Sequence, residues 1–125
     1  MPLLTPETAR TYSMHGVTFT AHANSSTGAT QLAGWSVHFN PHTPGREHRM
    51  SSEELLHVLE GSLDVEIDDD SFSASAGSAV LVPAGATFRI GNVTDQPARA
   101  WVVTTLGMTA SMTADGSTIN PPWAQ

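Results

Sequence analysis

Apolar and polar residues alternate with a period of two along most of the chain, and no long stretch follows a helical period. Val17-Thr-Phe-Thr-Ala reads as a first strand. Gln31 to Asn40 is a stronger one, with Trp35, Val37 and Phe39 on one face and Ser36, His38 and Asn40 on the other. Glu53 to Glu60 sets Glu54, Leu56 and Val58 against Leu55, His57 and Leu59. Both of its faces are mostly apolar, which predicts burial on two sides. Ser62 to Asp68 alternates cleanly, Leu63, Val65 and Ile67 inward and Asp64, Glu66 and Asp68 outward, as a half-solvated antiparallel strand does. Phe72–Ala76, a buried run from Gly77 stopped by Pro83, Thr87–Asn92 and Ala98–Leu106 complete the series. In the last of these, Trp101, Val103 and Thr105 oppose Val102, Thr104 and Leu106.

Turn chemistry separates these runs. Gly61 closes the Glu53–Glu60 strand where a tight turn favours a residue without a Cβ, and Asp68–Ser71, Pro83–Ala86, Asp95–Pro97 and Asp115-Gly116 mark further turns. Short strands at regular spacing predict an all-β sandwich or barrel. Residues 1–15 read as an N-terminal arm, with one short helical turn at Pro6-Glu-Thr-Ala-Arg, and 16–106 as the barrel core. Residues 107–125 read as a C-terminal strand and tail. The 125 residues predict one domain.

One position breaks the pattern in a way that suggests chemistry. Glu54 shares a row with Leu56 and Val58. A carboxylate on a core-facing row is costly unless it is paired, bound to a metal or protonated. The stretch that leads into it, His48-Arg-Met-Ser-Ser-Glu, is polar and carries an imidazole. Composition narrows the partners. A formal charge of −7 with only five Lys plus Arg leaves no basic footprint for nucleic acid or an anionic membrane. The absence of cysteine excludes disulfides, thiolate metal sites and cysteine nucleophiles. No signal peptide and no membrane span is read, so a cytoplasmic protein is expected.

Two segments together resemble the cupin superfamily. The first is similar to the motif G(X)5HXH(X)3-4E(X)6G: His48, Met50, Glu54 and Gly61 fit its spacing, although Gly45 sits too close to His48 to be the leading glycine. The second is similar to G(X)5PXG(X)2H(X)3N, matched in spacing by Gly77, Pro83, Gly85, Phe88 and Asn92. The resemblance spans roughly Trp35 to Leu106. It implies a cupin-type double-stranded β-helix, a jelly-roll barrel, and, since cupins commonly dimerise, a homodimer. It also implies a divalent metal held by three histidines and a glutamate. Here Met50 stands at the second histidine position and Phe88 at the third, leaving His48 and Glu54. Thioether is a soft, weak ligand and a phenyl ring is none, so no cofactor is expected. A metal would need His48, Glu54 and a recruited donor such as His42, because alternation puts His57 and His38 away from Glu54 and Trp35.

The leading expectation is a metal-independent cupin that binds a small, partly apolar organic molecule. It would act as an isomerase, cyclase or dehydratase, with Glu54 as acid or base and His48 orienting or sharing the proton. Trp35, Phe39, Met50, Phe88 and Trp101 are the expected pocket walls, and Trp123 a cap at the barrel mouth or against a partner. The bland reading of those walls is core packing. Two other classes stand beside the first: a non-catalytic binding or sensor module, and a metal-dependent, oxygenase-like cupin with an atypical ligand set.

Overall fold

The computed structural model describes residues 3–125; Met1 and Pro2, at the start of the expected arm, lie outside the described residues. Among the described residues, twelve strands are arranged in two antiparallel sheets. The strands are β1 (Arg10–Met14), β2 (Val17–Ala23), β3 (Leu32–Phe39), β4 (His48–Met50), β5 (Glu54–Glu60) and β6 (Ser62–Ile67). They continue as β7 (Asp70–Ser75), β8 (Ala79–Val82), β9 (Thr87–Gly91), β10 (Ala98–Thr105), β11 (Ala110–Met112) and β12 (Thr118–Ile119). The first sheet runs β1-β2-β3-β10-β5-β8 and the second β12-β11-β4-β9-β6-β7. The chain crosses between sheets as it proceeds, so the two enclose one interior in the jelly-roll manner. No helix among the described residues is long and apolar enough to cross a membrane.

Period two does the sorting. Val58, Leu63, Val65, Val80, Ala98 and Ala100 face inward and form a dry core at one end of the barrel. Full burial of side chains of this kind stabilises by about 1.5–3 kcal/mol each for the larger ones. The Ser62–Asp68 expectation holds: Leu63 and Val65 are buried while Asp64 and Glu66 reach outward to Arg89.

Two expectations are corrected. Arg10–Met14, read as part of the arm, forms β1 and pairs in register with β2 at the sheet edge. Its serine and threonine content hides the strand, and the partner hairpin creates it. The Pro6 turn is closed by two backbone hydrogen bonds, Thr8 N–H to the Thr5 carbonyl and Ala9 N–H to the Pro6 carbonyl, and does not continue as a helix. Secondly, β5 and β8 are buried on one face only, because Leu55 and Leu81 point outward and are exposed.

Local devices hold the segment before β4. Gly45 lies so close to β9 that a Cβ there would sit 2.0 Å from the Ile90 carbonyl oxygen, and a Cβ on Gly91 would meet the Thr43 carbonyl at 2.8 Å. Asn92, wholly buried, donates to the carbonyls of Asn40 and Gln96 and accepts from the Thr94 amide and hydroxyl. All its side-chain hydrogen-bonding capacity is spent on tying the β3–β4 and β9–β10 loops together. The motif asparagine is therefore structural, and it fixes where the chain turns toward His48.

Candidate functional site

The other end of the barrel holds a cavity of about 590 Å³. Its walls come from both sheets: Trp35, Val37 and Phe39 of β3, Leu56 of β5 and Val102 of β10 face Met50, Phe88 and Ile90. The C-terminal segment closes one side. Trp123 is buried there, its ring 3.7 Å from that of Phe19 and nearly parallel to it, with Tyr12 at 5.9 Å. Met14, Met108 and Met112 add thioethers to the lining, and flexible thioethers adapt to irregular apolar surfaces. At the mouth stand His15, Arg46, Glu47 and Asp115. The two mouth acids are engaged locally: Glu47 accepts from the Thr113 hydroxyl at 2.8 Å, and Asp115 accepts from the Ser117 amide and hydroxyl.

Two polar side chains reach past the mouth. Glu54 opens β5 and projects inward beside Leu56, 5% exposed, with no side-chain hydrogen-bond partner among the described residues. Loss of hydration disfavours its charged form, and burial alone pushes its pKa up to about 8. His48 opens β4 in the opposite sheet, paired in register with Phe88 and Met112. Its ring meets Phe88 edge-on at 5.4 Å. Its Nδ1 lies 2.8 Å from the Arg46 carbonyl oxygen. A carbonyl only accepts, so Nδ1 carries the proton and Nε2 presents a lone pair. Burial pushes the His48 pKa down, and the bond to the Arg46 carbonyl offsets this in part.

At neutral pH the usual roles are thus exchanged. The carboxyl is the protonated group, and the imidazole is the neutral base. The two line one cavity from opposite sheets, with no hydrogen bond or ion pair between them.

Trp35, Phe39, Met50 and Phe88 take their expected places on the cavity wall. Trp101 does not. Val102 and Thr104 are the inward, buried residues of β10, and Trp101 stands on the outer face. There its ring comes within 3.0 Å of where a Cβ on Gly34 would be and stacks on His22 at 5.1 Å. His42 is corrected as well: it sits in an exposed loop with its Nε2 2.6 Å from Asp95 Oδ1, far from the role of a recruited ligand. His38 and His57 are exposed on the outer face, as alternation required. Sequence reasoning missed Phe19, Met14, Met108 and Met112. Only Phe19 left a signal, through its alternation with Val17.

The metal that the fold family implies needs donors this cavity lacks. Met50 and Phe88 replace two imidazoles, and no three His, Cys, Asp or Glu side chains converge among the described residues. The residues present do not fit such a centre.

The family model for the cupin domain matches residues 35–104, and the chain belongs to the cupin family. It is 33% identical over 64 residues to a Streptomyces cyaneus protein named polyketide synthase CurC; that stretch is 51% of this chain but only 36% of the relative's length. Among solved structures, it resembles the polyketide cyclase RemF from Streptomyces resistomycificus, with a TM-score of 0.75 at 19% identity over 84% of this chain and 79% of that one. It also resembles a cupin-superfamily sugar phosphate isomerase from Silicibacter pomeroyi, with a TM-score of 0.75 at 21% identity over 96% and 93% of the two chains. These likenesses fix the fold as a cupin double-stranded β-helix.

Proposed function

We propose that this cupin binds a small, partly apolar, carbonyl-bearing molecule in its barrel and moves a proton on it without a metal, in an isomerisation, cyclisation or dehydration. The observation that carries the reading is the opposite displacement of Glu54 and His48 within one apolar cavity. Titratable groups driven apart by their surroundings mark acid and base roles.

His48 Nε2 takes a proton from the carbon beside the substrate carbonyl. Glu54 donates its proton to the carbonyl oxygen as charge develops there, so an enol forms without a free enolate. Reprotonation at another carbon gives an isomer; attack of the enol carbon on a second carbonyl closes a ring. Returning the proton from His48 to the product and from product to Glu54 restores both groups. A pKa of about 8 leaves Glu54 mostly protonated at pH 7 and close enough to the working pH to give its proton up. The names of the relatives, polyketide synthase, polyketide cyclase and sugar phosphate isomerase, support a carbonyl-rich organic substrate.

The unoriented Glu54 carboxyl favours a second reading, a binding module without turnover. The test begins with aromatic ketones such as 1-indanone, titrated against the fluorescence of Trp35 and Trp123. Bound ketone is then followed by NMR in D2O for exchange of its α-hydrogens. Saturable quenching with catalysed exchange, lost in Glu54→Gln, supports the enzyme. Saturable quenching with no exchange leaves the binding module. Unchanged binding and exchange in Glu54→Gln rejects the role given to Glu54.

A further inference from the structure

The cavity has a carboxyl and an imidazole at its floor but no arginine or lysine. The chain contains five arginines and no lysine, so each basic side chain has a known place. Arg89 is paired with Glu66 and Asp64 on the outer face of the second sheet, and Arg99 with Glu60 at 3.2 Å on the first. Arg10 is exposed on β1 at the sheet edge. Arg49 is exposed between His48 and Met50, and alternation turns it away from the cavity that both of them line. Arg46 alone lines the cavity, and it does so at the mouth beside two acids, Glu47 and Asp115.

Imidazole does not supply the missing charge. His48 Nδ1 donates to the Arg46 carbonyl, so Nε2 offers the cavity a lone pair, which repels an anion. Burial disfavours the charged form of this ring. His15 stands exposed at the mouth. An anion brought to the floor would lose its water and meet no counter-charge, and an unpaired buried charge is costly. The net charge of −7 adds repulsion at longer range.

An uncharged carbonyl fits where an anion does not. Its oxygen accepts from the O–H of Glu54, which is 5% exposed and has no side-chain partner among the described residues. The rest of the molecule then displaces water from apolar walls. The cavity volume of about 590 Å³ lies in the range of roughly 300–1,000 Å³ that takes drug-sized ligands. Its walls include the rings of Trp35, Phe39 and Phe88 and the thioethers of Met50 and Met108. Both kinds of group pack well against aromatic rings.

We propose that the substrate of this site is an uncharged ketone carrying two or more rings, and that carboxylates and phosphate esters are rejected. The assignment rests on the reading of the cavity as a substrate site, and it narrows that reading. A sugar phosphate, the substrate in the name of one fold relative, is excluded by its charge.

Equilibrium dialysis of the full chain at pH 7 tests this with 2-acetylnaphthalene, its carboxylated analogue 6-acetyl-2-naphthoate, and glucose 6-phosphate. The neutral ketone should bind saturably, and the carboxylate about 30-fold or more weakly in 50 mM salt, since it must bury an unpaired charge. In 500 mM salt the gap should narrow but persist, because screening removes repulsion between exposed charges and leaves the cost of burial. Glucose 6-phosphate should show no saturable binding. In a 15N NMR spectrum the indole N–H signals of Trp35 and Trp123, which line the cavity, should shift with the ketone, and that of Trp101 on the outer face should not. Equal binding of ketone and carboxylate, saturable binding of glucose 6-phosphate, no saturable binding of the ketone, or a shift at Trp101 alone would each overturn the assignment. Exchange of the α-hydrogens in D2O reads the catalytic proposal separately. Selective binding of the ketone without exchange upholds the charge selection and removes the enzyme. Equal binding of ketone and carboxylate with exchange on both does the reverse.

Discussion

Two of the three carboxyl groups that line the cavity end with opposite proton affinities. Asp115 at the mouth is fully exposed and takes two hydrogen bonds from Ser117, which hold its pKa below the ordinary value. Glu54 on the floor is buried, without a donor, and is pushed up to about 8. The side-chain chemistry is nearly identical. What differs is the supply of water and N–H or O–H donors along the cavity. Depth therefore sets the proton inventory: the mouth keeps its charges, and the floor keeps a neutral acid opposite a neutral base.

The sharpest way to break that contrast is Glu54→Gln. The amide keeps the shape and loses the transferable proton. Proton exchange on a bound ketone should fall by about 10²–10⁴-fold, the usual contribution of one positioned acid, read by NMR in D2O. The next effect concerns the walls that exclude water from the floor. Phe88 is 2% exposed against His48. Phe88→Ala should cost roughly 3–5 kcal/mol of stability in denaturant unfolding. It should also bring the Glu54 pKa down toward its ordinary value as water enters.

A smaller effect appears in the pH dependence of stability. The folded chain keeps a Glu54 proton that the unfolded chain releases above about 4.5. Stability should therefore fall with rising pH up to about 8, by roughly 1.4 kcal/mol per unit. His48 and His22 are displaced the other way, below 6.5. Unfolded imidazole takes up a proton that the folded one refuses, so these groups cost stability only as the pH drops below 6.5. Between pH 6.5 and 8 Glu54 alone of these groups acts, and melts of Glu54→Gln should lose the decline the wild type shows there. The smallest effect is at the mouth: Asp115→Asn should leave that slope and ketone exchange unchanged, because an exposed, hydrogen-bonded charge in water gains little.

Much of this was readable from the chain. Strict alternation put Glu54 on the inward row and kept His38 and His57 outside, and the motif spacing placed Met50 and Phe88 on the cavity wall. Other features depended on contacts distant in sequence. Alternation tells two faces apart without saying which is solvated, and so it points to Trp101 as a wall and to Leu55 and Leu81 as core, although all three are exposed. His48 and Glu54 are six positions apart in the chain, but β4 and β5 belong to different sheets, and this separates them across the cavity. Trp123 and Met108 reach the cavity only because the C-terminal segment folds back, with Gly107 N–H donating to the Ala124 carbonyl and Gln125 to that of Met108. No period within the tail encodes that return.

The most direct measurement is a 13C NMR titration of the Glu54 side-chain carboxyl, identified by its loss in Glu54→Gln. A midpoint near 8 is expected. A midpoint near the ordinary glutamate value of 4.5 would mean that the floor holds a carboxylate at neutral pH, and the exchanged acid and base roles would be wrong.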